Sequence, residues 1–167
     1  MKVYLQKELL EKLPELKVAF LIVHGINIDQ KAQEMQQKLQ DAVDECIEKY
    51  KDQNIGELDD IKKWHGYAEK LGIDTKKAPV SSEAMLNRIL AGKEIRSVNP
   101  LVDFYNSLSI KEIMPMGAYD LDNTEGDIYL GIAKGGELYK PLSGKKDEEA
   151  ETGEVIFADE KEVMCRH

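Results

Sequence analysis

The hydrophobic positions of the N-terminal third predict one strand followed by two helices. The run VAFLIV within residues 17–24 is continuously apolar, of strand length and rich in β-branched residues, which predicts a strand buried on both faces. Asp29 follows as a helix N-cap, and apolar residues at three- and four-residue spacing predict one amphipathic helix to about Lys51. The same spacing resumes at Leu58 and runs to Gly72, a typical helix stop.

Two shorter helices are predicted in the middle of the chain. Ser81 or Ser82 is placed to cap the first, and Gly92 marks its end. Pro100 suits the first turn of the second helix, and Asn99 before it is a candidate cap. Helix signals therefore extend to about residue 110.

Strand signals dominate the C-terminal part. Residues 116–121 are short and apolar, residues 127–133 alternate apolar and other positions, and residues 154–158 form a third β-type run. The order of a strand, then helices, then strands predicts an α+β, or mixed α/β, fold.

The 167 residues are of ordinary single-domain length. The polar segment 74–80 is the best internal boundary, with an N-terminal strand and two helices in 1–75 and the later elements in 76–167. We interpret it as a loop within one domain spanning 1–167, because neither half looks large enough to bury a good core alone.

The charge distribution limits the partners. A formal net charge of −9 disfavours a broad nucleic-acid surface, since that kind of binding depends on clustered Lys and Arg. Residues 147–162 hold eight acidic residues against one lysine, a net −7, whereas residues 76–119 hold six basic against four acidic residues, a net +2. The acidity is local, so a small anion-binding patch remains compatible with the sequence.

Membrane insertion and thiol chemistry are both poorly supported. The longest apolar run, residues 18–24, is far shorter than the roughly 20 residues of a spanning helix, and the N-terminus does not resemble a signal peptide. We expect a cytoplasmic protein. Cys46 and Cys165 form no CxxC pair, which argues against a disulfide framework or a thiol zinc site.

No histidine has a partner at metal-ligand spacing. His24 lies in the predicted buried strand as a satisfied core residue, His65 lies on a helix, and His167 lies at the terminus. The acidic run 120–127 departs from the calcium-loop pattern and is better interpreted as a turn. No metal and no cofactor are predicted.

The polar residues around Pro100 are the most informative. Asn99, Asp103 and Asn106 are spaced four and three apart, so the last two share one face of a helix. The residues available to the core are then Leu101, Phe104, Tyr105 and Leu108. The polar face could be solvated or could cap nearby turns, or it could line a small polar pocket beside residues 116–120.

Several ordered motifs extend this pattern: residues 81–88 (SSEAMLNR), 99–106 (NPLVDFYN), 115–122 (PMGAYDLD), and then GEL, GEVI and Cys165-Arg166. Together they resemble the free-standing form of the B-three/B-four module. In bacterial phenylalanyl-tRNA synthetase that module lies in the beta subunit and hosts the editing site. The similarity covers roughly residues 60–167. It implies an α+β fold, binding of tRNA, and hydrolysis of tyrosine wrongly attached to the tRNA for phenylalanine.

Two motifs of the synthetase module can be aligned with this sequence residue by residue. The synthetase helix motif Val-Val-Asp-x-Thr-Asn-Tyr aligns its Asp with Asp103, its Thr with Tyr105 and its Asn with Asn106. In this alignment Asn106 would orient a water on the ester carbonyl, Asp103 would brace the pocket, and Asn99 and Tyr105 would contact the substrate.

The second synthetase motif, Pro-x-His-x-x-Asp, aligns with residues 115–120. Gly117 takes the place of the histidine and would leave room for the aminoacyl group, Asp120 would brace the pocket, and Tyr119 would contact the substrate. The synthetase module continues beyond the part that matches Cys165-Arg166, and its further pocket segments have no counterpart assigned here.

Two functional hypotheses follow from these motifs. The first is a trans-acting aminoacyl-tRNA deacylase. The second is a non-catalytic module that binds a small amino-acid-like ligand or the tRNA acceptor end. The replacements at Tyr105 and Gly117 favour the second, and they leave open whether the protein is an enzyme.

Overall fold

The computed structural model describes residues 1–28, 30–141, 144 and 146–166; the predicted cap Asp29 and His167 lie outside these residues. The helices are α1 (Lys7–Lys12), α2 (Ala32–Tyr50), α3 (Asp59–Leu71), α4 (Ser81–Leu90) and α5 (Pro100–Glu112). The strands are β1 (Val3–Leu5), β2 (Ile128–Ile132), β3 (Leu138–Tyr139), β4 (Glu148–Glu149), β5 (Val155–Ala158) and β6 (Val163–Arg166). The predicted α+β fold class is confirmed.

The chain forms two compact units, each built from separate stretches of sequence. The helical unit comprises residues 23–68 and 74–118, and the sheet unit comprises residues 1–22, 69–73 and 119–167.

The helical unit buries one apolar cluster. Helix α2 packs along α5 and α4, and the spacing of its apolar residues turns one face inward. The buried members are Leu39, Ala42, Cys46, Tyr50, Ile55, Ile61, Leu86, Ile89, Ile110 and Ile113. This cluster determines which face of α5 is available to solvent.

The sheet unit is a six-stranded mixed sheet in the order β1-β2-β5-β6-β3-β4. Strands β1 and β2 are parallel, as are β3 and β6, and the other neighbours are antiparallel. Its buried cluster contains mostly small residues: Ala133, Ala150, Ile156, Ala158 and Val163.

One carboxylate braces the end of β5. Asp159 is buried and accepts backbone N–H bonds from Glu125, Lys161 and Glu162, each at 2.8 Å. Burial by itself would raise the pKa of Asp159, but these donors outweigh it and hold the pKa below its usual value. The ionised form of Asp159 therefore stabilises the folded sheet unit.

The predicted strand at residues 17–24 is wrong. The segment is irregular and exposed, and His24 is exposed rather than buried in a core. A β-type sequence forms a strand only where a neighbour pairs with its backbone, and β1 takes the place beside β2. The sequence identified an apolar segment but not its environment.

The helix predictions hold from α2 to α5, with two corrections nearby. Helix α4 begins at Ser81, but its N-cap is Val80 and no side chain caps it. Residues 116–120 are irregular rather than a strand, and a short 3-10 turn follows at Leu121–Asn123. Helix α1 and strands β1, β3, β4 and β6 were not predicted. No described helix has the length and apolarity needed to cross a bilayer.

Candidate functional site

The start of α5 is held by two of the predicted site residues. The Asn99 side chain accepts a hydrogen bond from the Val102 N–H at 2.9 Å, which confirms it as the N-cap, and Pro100 occupies the first turn. Asp103 is 1% exposed, and its two oxygens accept from the Ser97 hydroxyl at 2.6 Å and from the Val98 N–H at 3.0 Å. Both side chains therefore order the chain entering α5.

Three of the four buried residues of α5 are polar and the fourth is Ile110, whereas the prediction gave the core only apolar and aromatic residues of this helix. Asp103, Ser107 and Ser109 are buried, whereas Phe104 is 40% exposed. The hydroxyls of Ser107 and Ser109 donate to the carbonyls of Phe104 and Met114, at 2.7 and 2.5 Å. Short hydroxyls can be buried here because nearby backbone carbonyls accept their hydrogen bonds.

The middle of α5 carries the candidate catalytic residue. Tyr105 and Asn106 are half-buried, and within the described part of the chain the Asn106 amide has no hydrogen-bond partner. Burial raises the pKa of the Tyr105 phenol, which keeps it neutral and able to donate a hydrogen bond. Among the described residues, the side chains of Tyr105 and Asn106 thus have no hydrogen-bond partner, unlike those of Asn99 and Asp103.

The turn after α5 has a strained residue at its centre. Ile113 has φ of 51°, a left-handed conformation that favours glycine, yet its side chain is buried in the core of the helical unit. The Trp64 indole donates to the Ile113 carbonyl at 3.3 Å. This turn leads to Gly117, which is exposed; apart from its chain neighbours, no described residue has an atom within 4 Å of the position a Cβ would take.

The remaining predicted residues lie in the sheet unit. The exposed Tyr119 ring stacks on Phe157, with centroids 4.8 Å apart. Asp120 accepts from the Asp122 N–H at 3.1 Å and from the Asn123 amide at 2.7 Å, so it caps the short turn that follows. The predicted residues are therefore divided between the units: Asn99, Asp103, Tyr105, Asn106 and Gly117 lie in the helical unit, Tyr119 and Asp120 in the sheet unit.

A histidine–carboxylate pair was not foreseen from the sequence. The His65 Nε2 atom lies 2.7 Å from Oε2 of the buried Glu83, which links α3 to the first turn of α4. The two residues are 18 positions apart on different helices, so no spacing rule could have paired them. Among the described residues, no group of three His, Cys, Asp or Glu side chains could hold a metal ion.

An open groove of about 500 Å³ runs along α2 in the helical unit. Its lining mixes apolar residues, among them Leu39, Val43 and Ile89, with polar ones such as Gln40 and Lys93. None of the predicted site residues lines it, although Ser97, which is hydrogen-bonded to Asp103, lies on its wall. The groove is thus separate from the chemistry that the motifs indicate.

Comparison with known proteins finds one matching family and several similar ligase subunits. The B3/4 domain family matches residues 63–167. The phenylalanine--tRNA ligase beta subunit of Streptococcus pneumoniae is 34% identical over 109 residues, covering 58% of this chain and 14% of the subunit. The corresponding subunits of Aquifex aeolicus and Thermotoga maritima are 31% and 32% identical, and each match covers 65% of this chain.

The matches cover only 13–14% of the length of these ligase subunits. No solved structure matches the chain. The family match spans more than half of the sequence and includes α5 together with the segment up to Asp120. The chain belongs to the B3/4 domain family.

Proposed function

We propose that the protein hydrolyses the ester bond of misacylated aminoacyl-tRNA in trans, using Asn106 to position the attacking water. The observation that carries this proposal is the half-buried Asn106 amide, which has no hydrogen-bond partner among the described residues. Its neighbours Asn99 and Asp103 are engaged in local hydrogen bonds. An uncommitted amide at this motif position is available to a ligand or a water.

Ester hydrolysis can proceed on this chain without a covalent nucleophile. A positioned water attacks the ester carbonyl when polar groups hold the water and stabilise the developing oxyanion. Asn106 can both donate and accept hydrogen bonds, and the neutral Tyr105 phenol can donate one. Gly117 adds no side-chain bulk to the Pro115–Asp120 motif, which leaves space for an aminoacyl group.

The charge pattern supports contact with the acceptor end rather than with the whole tRNA. Residues 76–119, which include α5 and Gly117, have a net charge of +2, whereas residues 147–162 have a net charge of −7. A strongly acidic segment would repel phosphates. Binding therefore depends on the aminoacyl group and the last nucleotides.

The decisive experiment is a deacylation assay with tyrosine esterified to the phenylalanine tRNA, which is the substrate class that the motifs imply. The wild-type protein should release tyrosine faster than buffer alone. Asn106→Ala should slow that release by about 100-fold, the usual cost of removing one polar group that stabilises the transition state.

Asn87→Ala is the matched control, because Asn87 is an exposed asparagine on the neighbouring helix α4. It should leave the rate unchanged. A wild-type rate equal to the buffer rate would refute the proposal, as would equal rates for the two variants.

The second candidate is a non-catalytic module that binds a small amino-acid-like ligand or a tRNA acceptor end. It is favoured by the sequence departures at Tyr105 and Gly117, which replace a threonine and a histidine of the synthetase motifs. Calorimetric titration with tyrosine, phenylalanine and deacylated tRNA tests it. Heat of binding without any deacylation would select this candidate, and no heat with any of them would exclude it.

A further inference from the structure

The groove along α2 lies wholly within the helical unit. One wall is α2, and the other is the C-terminal end of α4 with the loop that follows it up to Ser97. Its volume of about 500 Å³ falls within the range of roughly 300–1,000 Å³ that is usual for small-molecule sites. The groove is therefore large enough to hold a small ligand.

Hydrogen bonds hold the loop wall of the groove in place. The Lys93 N–H donates to the Arg88 carbonyl at 3.0 Å, and the Arg88 Nε donates to the Glu94 carbonyl at 2.8 Å. Further along the loop, the Ser97 hydroxyl donates to the buried Asp103 at 2.6 Å, which joins the loop to α5. A wall that is ordered before a ligand arrives loses little conformational entropy on binding.

The apolar part of the groove is aliphatic. Leu39 and Ile89 belong to the buried core of the helical unit, and Val43 and Ile95 pack against that core. Among the described residues no aromatic side chain lines the groove, so an aromatic ligand would gain nothing from ring stacking. This lining favours a ligand with a branched aliphatic group.

Two opposite charges stand next to each other on the loop wall. Lys93 and Glu94 are exposed neighbours in the sequence, and both line the groove. Within the described part of the chain neither side chain has an ion-pair or hydrogen-bond partner. A ligand with a single charge is attracted by one of these residues and repelled by the other, whereas a ligand that carries an ammonium and a carboxylate on the same carbon atom can pair with both.

We infer that the groove binds a free amino acid with a branched aliphatic side chain, such as leucine. Its carboxylate pairs with Lys93, its ammonium pairs with Glu94, and its side chain packs in the aliphatic part of the groove. Exposed ion pairs are weak, so we expect a dissociation constant of about 1 mM. No predicted site residue lines the groove, so the inference does not rest on the proposed deacylation.

A leucine titration of the whole chain, followed by two-dimensional NMR of the backbone amides, tests the inference. Leucine at up to about 20 mM should shift the amide signals of residues 92–97 and of the α2 residues that line the groove, and these shifts should saturate.

Three analogues test which groups of the ligand are recognised. The analogue 4-methylpentanoate lacks the ammonium and 3-methylbutylamine lacks the carboxylate, so each should bind about 5-fold more weakly than leucine. Glycine lacks the side chain and should bind about 10-fold more weakly or less tightly still.

Two variants assign the charges to residues. Lys93→Met should weaken leucine binding about 5-fold and should abolish the preference for leucine over 3-methylbutylamine. Glu94→Gln should have the same effect on affinity and should abolish the preference over 4-methylpentanoate. Both residues are exposed, so the variants should fold normally, which circular dichroism will check.

Lys77→Met is the matched control, because Lys77 is an exposed lysine of the helical unit that does not line the groove. It should leave leucine binding unchanged. Asn106→Ala should also bind leucine like the wild type, which separates this site from the proposed deacylation. A chain that binds leucine without deacylating tRNA would refute only the proposed function, and the reverse result would refute only this inference.

Four results would overturn the inference: no saturable shifts with leucine, shifts confined to residues outside the groove, equal binding of leucine and its three analogues, or a Lys93→Met variant with the affinity and ligand preference of the wild type.

Discussion

Replacing Asp103 tests whether this motif residue acts as a structural brace or as part of a binding site. Its carboxylate is 1% exposed and accepts two hydrogen bonds, from the Ser97 hydroxyl and the Val98 N–H. Ser97 also accepts from the Gln36 amide at 3.1 Å, which ties α2 to the same network. Asp103→Ala removes the acceptor on which this network depends.

The size of the effect follows from the geometry. A hydrogen bond to a charged group contributes about 1.5–3 kcal/mol, so two give about 3–6 kcal/mol. Ser97 and Val98 are themselves exposed, and water can replace part of what is lost. We therefore expect Asp103→Ala to lower the free energy of unfolding by about 2–4 kcal/mol. Asp103→Asn keeps an acceptor for the Val98 N–H and should cost only about 1 kcal/mol.

Urea unfolding followed by tryptophan fluorescence measures this loss. Trp64 is the only tryptophan in the sequence, and its indole N–H donates a hydrogen bond to the Ile113 carbonyl. Its fluorescence therefore reports on the helical unit. Asp52→Ala is the control, because Asp52 is exposed and should change the unfolding free energy by less than about 0.5 kcal/mol.

A loss below about 1 kcal/mol for Asp103→Ala would refute the bracing role, as would equal losses for Ala and Asn. Normal stability combined with lost deacylation would instead place Asp103 in the binding site.

Three further predictions concern single side chains. Asp159→Ala should lower the free energy of unfolding at pH 7. Because the folded state lowers the pKa of Asp159, the difference in unfolding free energy between wild type and variant should shrink when urea titrations are carried out below about pH 4. A difference that is constant with pH would contradict this prediction. Among the described residues the buried Ser82 hydroxyl has no hydrogen-bond partner, so Ser82→Ala should leave the free energy of urea unfolding unchanged or raise it by up to about 1 kcal/mol. A loss of more than about 1 kcal/mol would contradict this prediction. Cys46 is buried, which raises the pKa of its thiol, whereas Cys165 is exposed. A thiol reagent at pH 8 should therefore modify Cys165 rapidly and Cys46 slowly, giving one rapid equivalent per chain. Two rapid equivalents would contradict the burial of Cys46.

Local rules predicted the helices well because their signals lie close together in the sequence. The cap at Asn99, Pro100 in the first turn and the regular spacing of apolar residues in α2 act within one or two helical turns. The same rules misplaced the buried side of α5. Periodicity favours apolar residues in a core, but buried hydroxyls such as Ser107 and Ser109 are stabilised by carbonyls that periodicity does not identify.

The candidate site was only partly accessible to sequence reasoning. The motifs located Tyr105, Asn106 and Gly117, but only the structure separates the uncommitted Asn106 amide from the engaged side chains of Asn99 and Asp103. The catalytic role of Asn106 stays a prediction. The contact between His65 and Glu83 had no sequence signal, since it depends on how α3 and α4 pack.

The sequence by itself determined the α+β class, the positions of α2 to α5, and the motifs that indicate the family, because each of these depends on neighbouring residues. The tertiary structure decided which apolar and polar residues become buried. Residues 17–24 have the composition of a buried strand, yet they are exposed, because a strand needs a partner and none of the described strands pairs with them. Asp103 is polar, yet it is buried, because the segment before α5 folds back to donate two hydrogen bonds to it.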